Sequence, residues 1–248
     1  MQKEFLKFEN LGKQYGYQWA IRKASGSIET GKYISLFGAN GAGKTTLLYL
    51  LSGVYHPNEG KIIYGESNTQ GNVKVKSTAG SSVNAKHGFH NNMQLMSHES
   101  MLYHRLNGIQ NLEFFLSLYR DIDKDEIEKA LKYTGLYAHR KKTIDSYSRG
   151  MLQRLMIARL LLARPEVVFF DEPFTGLDIR GQKLLLTILE ERGSSDFDWK
   201  IESYVFVDHD INRAYTHCDE VWFIDNGRLK EVESKSKLPL IKIQEWLS

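Results

Sequence analysis

The run Gly38-Ala39-Asn40-Gly41-Ala42-Gly43-Lys44-Thr45-Thr46 spaces glycines, a lysine and threonines as Gly-x-x-x-x-Gly-Lys-Thr. Residues of these types in that order can hold a phosphate chain. The glycines let the backbone curl until successive N–H groups face one anion at the positive end of the next helix. Lys44 is suited to neutralise the outer phosphates as a point charge, and the Thr45 hydroxyl to hold Mg²⁺. A second constellation lies far along the chain, in Val167-Val168-Phe169-Phe170-Asp171-Glu172. It delivers two acids from the end of an apolar strand. Asp171 is the candidate metal-side carboxylate. Glu172 is the candidate general base, able to orient and deprotonate an attacking water.

Both constellations need rigid supports. Tyr33-Ile34-Ser35-Leu36-Phe37 reads as a strand entering the glycine loop, and the apolar run from Thr46 to Leu51 as the helix leaving it. Further strands are expected at 5–9, 20–28, 60–65, 93–97, 167–170, 204–207 and 221–224, with Asn226-Gly227 as a hairpin turn. Residues 66–92 are polar, rich in Ser, Asn, Lys and Gly, and read as a surface insertion. From about 99 to 163 the pattern is helical. Asp123 and Glu126 form an expected capping box, Ser148 caps a long helix, and Pro165 stops it. Helix is also expected over 181–192. Strands alternating with helices imply an α/β fold, with a mainly parallel sheet, an antiparallel β subdomain and a helical insert. Residues 1–234 form that domain, and 235–248 a helical tail.

Composition narrows the function classes. A net charge of +3 gives no argument for nucleic acid, and none is expected as a partner. The single cysteine, Cys218, excludes an internal disulfide and fits a reducing compartment. No stretch reaches the eighteen or so apolar residues of a membrane span, and the start does not read as a signal peptide. Work at a membrane would therefore go through a partner. His87, His90, His98 and His104 lie near one another, but their spacing fits no zinc pattern.

Taken together these motifs resemble the ABC-type ATPases. Tyr147-Ser148-Arg149-Gly150-Met151 is similar to their signature sequence, Thr175-Gly176-Leu177-Asp178 to their D-loop, and Val207-Asp208-His209-Asp210 to their switch-histidine segment. Tyr15 stands where the family places an aromatic ring against adenine. The resemblance runs in order from about residue 3 to residue 230. It implies ATP and Mg²⁺ as cofactors, and a head-to-tail homodimer in which Ser148 and Gly150 of one copy close on the glycine loop of the other. Asp178 joins that interface and His209 senses the γ-phosphate. It also implies transmembrane permease subunits as partners, with the protein on the cytoplasmic face of the membrane.

Three departures stand out. Tyr147, Arg149 and Met151 replace the usual leucine, glycine and glutamine around the signature's Ser148 and Gly150. The family's metal-touching glutamine falls in register on His98, with Gln94 as the alternative. A neutral His98 can bind the ion or accept from a metal-bound water, whereas a protonated one repels the ion, so activity is expected to fall below about pH 6.5 more steeply than in a His98→Gln variant. The motif wording is similar to haem-exporter ATPases of cytochrome c maturation, although the insertion and tail depart from them. Met101-Leu102-Tyr103 is expected either to face a membrane-subunit helix or to pack in the core.

Overall fold

The computed structural model describes residues 4–65, 92–97, 99, 101–118, 120 and 123–247. They fall into two compact units. The first comprises the chain up to residue 65, residues 168–171 and residues 202–247; the second comprises residues 92–167 and 172–201.

In the first unit, β1 (Glu4–Tyr15), β2 (Gln18–Glu29) and β4 (Glu59–Tyr64) form an antiparallel sheet in the order β2-β1-β4. Phe8 sits opposite both Gly26 and Ile62, which fixes the register on both sides of β1. Alternation along β1 turns Leu6 and Phe8 inward, and both are fully buried. The expected strands at 5–9 and 20–28 are therefore the middles of longer ones.

The other sheet of this unit contains β3 (Tyr33–Phe37), β9 (Ser203–Val207), β10 (Glu220–Asp225), β11 (Arg228–Ser234) and residues 168–171 of β6 (Val167–Asp171). Its order is β11-β10-β3-β9-β6. β10 and β9 both run parallel to β3, and β11 returns antiparallel through Asn226-Gly227. All five residues of β3, β6 and β9 are buried, as parallel strands covered on both faces require. Helices α1 (Lys44–Leu51), α6 (Ile211–Thr216) and α7 (Leu240–Leu247) complete the unit. Phe8 meets Trp222 across the two sheets at 5.7 Å between ring centroids, and Trp222 is fully buried. The tail helix α7 buries Ile243 and lays Trp246 on Phe223 at 4.7 Å.

The second unit holds β5 (Met93–Ser97), α2 (Gly108–Ser117), α3 (Lys124–Tyr133), α4 (Arg149–Ala163), α5 (Ile179–Glu191) and a small hairpin, β7 (Gly193–Ser194) with β8 (Trp199–Lys200). Helix α4 is buried on nearly all sides from Leu155 to Leu162, which is why its sequence shows no clean apolar stripe. The capping box lies at Asn107 and Gln110, which exchange bonds of 3.0 and 2.9 Å, and not at Asp123 and Glu126. Asp123 still caps α3, accepting from Asp125 N, but Glu126 is drawn away by Arg120 and Arg164 at 2.6 and 3.2 Å. Two charged partners outcompete one neutral backbone N–H. Between α3 and α4 a 3₁₀ turn forms at Tyr137–His139, with Arg140 stacked 3.9 Å from the Tyr137 ring centroid.

Candidate nucleotide site

Gly38 to Gly43 leave the C-terminal end of β3 and deliver the chain into α1 at Lys44. No side chain caps α1 and its first turn holds no acid, so its positive end is left for a ligand to complement. Lys44 Nζ donates back to Gly38 O at 2.7 Å and to Ala39 O at 2.9 Å. This turns the loop's carbonyls toward the lysine, on the same side as the start of the helix. Ala39, Asn40, Gly41 and Thr45 are exposed, whereas Ala42 is buried. The loop is braced from below by the hairpin turn, where Gly227 N donates to Ala42 O at 2.9 Å. Arg22 N in turn donates to Gly227 O at 2.7 Å, tying β2 to the same turn.

Thr45 Oγ1 donates to Asp171 Oδ1 at 3.1 Å. Asp171 is 1 % exposed at the end of β6, so a buried carboxylate reaches the first turn of α1. A hydroxyl and a carboxylate oxygen within hydrogen-bond reach are a hard-oxygen pair of the kind Mg²⁺ takes together with phosphate oxygens and water. Lysine, an uncapped helix end and hard oxygens fit a magnesium-bound polyphosphate.

Tyr15, at the end of β1, is half exposed. Its ring meets Tyr55 edge-on at 6.3 Å, and Tyr55 rests on Tyr49 of α1 at 5.0 Å. Lys13 Nζ lies 5.7 and 5.5 Å from the Tyr15 and Tyr55 ring centroids. Burial and the Tyr55 charge push the Tyr15 hydroxyl above its ordinary pKa, against a hydrogen bond with Thr46 that lowers it. The first unit thus gathers Tyr15, the whole 38–46 loop and Asp171.

His209, just beyond β9, is exposed. The residues on either side of it are tied down. Asp208 accepts from Arg213 Nε at 2.6 Å and Nη2 at 2.8 Å, and Asp210 caps α6 by accepting from Arg213 N at 3.0 Å. Asp208 entered the sequence reading only as a neighbour of His209, and Arg213 belongs to none of the motifs.

The other candidates belong to the second unit. Ser148 caps α4, accepting from Met151 N at 3.3 Å. Asp178 caps α5 through Gly181 N at 2.9 Å and pairs with Arg154 Nε at 3.2 Å. A Cβ on Gly150 would lie 3.2–3.3 Å from the Asp178 side chain, so the signature and the D-loop stretch pack closely there. The Arg149 side chain lies over Gly176 in the same way. Glu172 takes φ 52°, a left-handed conformation that a non-glycine residue rarely adopts, and its carbonyl accepts from Thr175 N at 3.0 Å. Strain of this kind collects at functional positions. His98 lies outside the described residues, as do His87 and His90; His104 pairs with Asp145 at 3.1 Å. Among the described residues no cluster of three or more His, Cys, Asp or Glu forms a metal site.

Residues 21–175 match the family model described as "ABC transporter". This chain belongs to the ABC transporter family. Two curated relatives place it among ATP-binding proteins of that family. The spermidine/putrescine import ATP-binding protein of Mycoplasma mycoides is 29% identical over 241 residues, covering 96% of this chain and 64% of that protein. The bacitracin transport ATP-binding protein of Enterococcus faecalis is 32% identical over 237 residues, covering 94% of this chain and 70% of that protein. The chain therefore spans less than two thirds of the length of the first of these. An ABC cassette solved as a dimer after hydrolysis, bound to ADP and Pi, shares the fold with a TM-score of 0.75 at 21% identity, over 93% of this chain and 98% of that one. The α/β architecture expected from the sequence is thus that of the ABC cassettes.

Proposed function

We propose that this chain is the ATP-hydrolysing subunit of an ABC transporter, with Mg²⁺ as the working ion. The observation that carries the reading is the pairing of Thr45 Oγ1 with the buried Asp171 carboxylate beside Lys44 and an uncapped helix end. Thr45 and Asp171 would hold Mg²⁺, which would supply positive charge to offset that of the phosphates. Lys44 draws the outer phosphates toward the first turn of α1, where the dipole favours negative charge. Tyr15 offers a ring face to the base. Glu172 orients water and accepts its proton. His209 contacts the γ-phosphate, and His98 (or Gln94) completes the metal surroundings.

Ser148, Gly150 and Asp178 act on the nucleotide of a second copy. Ser148 stands at the N-terminus of a 15-residue helix whose first turn carries no acid, a setting suited to an incoming anion. Hydrolysis cuts the γ-phosphate from the nucleotide, and release of that phosphate removes the anion that holds the dimer shut. Among the described residues no helix is long and apolar enough to cross a membrane. In the transporter reading, permease subunits carry the cargo and this chain docks on their cytoplasmic face. The exposed Met101, Tyr103 and Phe114 of the second unit form a fitting apolar face, with Tyr103 and Phe114 rings 4.7 Å apart. The named relatives serve polyamine import and bacitracin transport, so the proposal concerns the ATPase role and not one cargo.

Glu172→Gln tests the reading. The variant should bind ATP as the wild type does, lose about a hundredfold or more in turnover, and accumulate as an ATP-dependent dimer. Wild-type turnover in Glu172→Gln would remove the base assignment, and an inactive wild type would remove the ATPase reading.

A further inference from the structure

His209 stands between two aspartates that converge on one arginine. Asp208 is almost buried, its side chain 4% exposed, and its carboxylate takes both arms of the Arg213 guanidinium as well as Asp210 N at 2.9 Å. Asp210 adds a cap on Arg213 N and an ion pair at 3.7 Å. The pairing with Asp208 holds the Arg213 guanidinium above its ordinary pKa.

Arg213 is itself on a fixed post. The next residue, Ala214, is buried, and its carbonyl accepts from Ser35 Oγ of β3 at 2.7 Å, inside the sheet that launches the glycine loop. One residue further, Tyr215 OH donates to Leu238 O at 3.1 Å, pinning α6 to the chain just before α7. An exposed histidine thus has its flanking backbone bolted on both sides to the sheet of the glycine loop. A planar fork on a carboxylate fixes orientation as well as distance, which a lysine does not.

We infer that the Asp208–Arg213 pair is a positioning device for His209, setting the backbone from which that histidine meets the γ-phosphate. This rests on the ATPase reading above. It assigns neither residue a contact with substrate. Misplacing a reacting group by about 1 Å costs up to about a hundredfold in rate, while ground-state binding through Lys44 and the loop is untouched.

The test is a double-mutant cycle on the purified full chain, with Mg-ATP and single-turnover rates alongside steady-state kinetics. Arg213→Ala should lower kcat about ten- to a hundredfold with KM changed less than about threefold, and Arg213→Lys should fall between the two. In a His209→Ala background the same Arg213→Ala change should alter the single-turnover rate less than about twofold, because the group it positions is gone. An equal fold-loss in both backgrounds would show that Arg213 acts apart from His209 and would overturn the inference. So would a full-rate Arg213→Ala protein, even if it melted earlier. A wild type that fails to hydrolyse ATP would instead sink the underlying ATPase reading, and this inference with it.

Discussion

Two glycines of the phosphate loop should respond very differently to the same added methyl group. Gly43 takes φ 107°, and a Cβ there would lie 2.5 Å from Ala20 O and 2.9 Å from Ile21 Cδ1, against β2. Gly41 takes φ 78°, and a Cβ there would meet nothing within 4 Å. Alanine at either position bears left-handed backbone strain, on the order of 1–2 kcal/mol. At position 43 the overlap with backbone adds roughly 1–3 kcal/mol, since Ala20 O cannot swing aside as a side chain could. For a chain of this size each kcal/mol moves Tm by about 2–4 °C. Gly43→Ala should therefore depress Tm about twice as far as Gly41→Ala, measured by thermal melting in the absence of nucleotide. It should also weaken ATP binding, because the overlap displaces the start of α1 and Lys44 with it. A Gly43→Ala protein that melted with or above Gly41→Ala would show that β2 does not roof the start of α1 in solution.

Asp178→Ala should cost about 1 kcal/mol through the lost cap on α5, and roughly 1–3 kcal/mol more because Arg154 Nε, on a side chain only 11 % exposed, loses its carboxylate. Asp178→Asn should recover the capping share in a urea melt, and equal losses would remove the capping explanation. Burial pushes the Cys218 thiol above its ordinary pKa, with Ser35 and Lys235 opposing. The unfolded thiol then ionises first, so this contribution is whole below about pH 8.5 and lost as pH rises toward the folded value. Unfolding midpoints should fall more steeply between about pH 8.5 and 10 in the wild type than in Cys218→Ala. Parallel slopes would contradict the buried thiol.

The phosphate loop was legible because its spacing is itself the chemistry, and strand, glycines and helix all agreed at Gly38 to Thr46. The apolar run 167–170 announced a buried strand for the same reason: four consecutive apolar residues leave no polar face to confuse it. Local charge patterns misled. Asp123 and Glu126 look like a capping box, but Arg120, just ahead of the helix, and Arg164, 38 residues on, claim Glu126 in the folded chain. Asn107 and Gln110 carried the box without an acid to advertise it. Helix α6 and the β7–β8 hairpin are too short for periodicity to register. The clamp between Asp208 and Arg213 spans a loop and a helix start, so only the folded backbone brings the two together. Ser148 was legible as the cap of α4, whereas Asp178 drew attention through family resemblance alone and its capping role follows from where α5 begins.

Calorimetric titration of Mg-ATP into the wild type and into Lys44→Ala probes the proposed site most directly. The charge-assisted bonds that Lys44 supplies are worth roughly 1.5–3 kcal/mol, so affinity should fall about ten- to a hundredfold or more in the variant. Equal affinities for the two proteins would place the nucleotide somewhere other than the loop from Gly38 to Thr46.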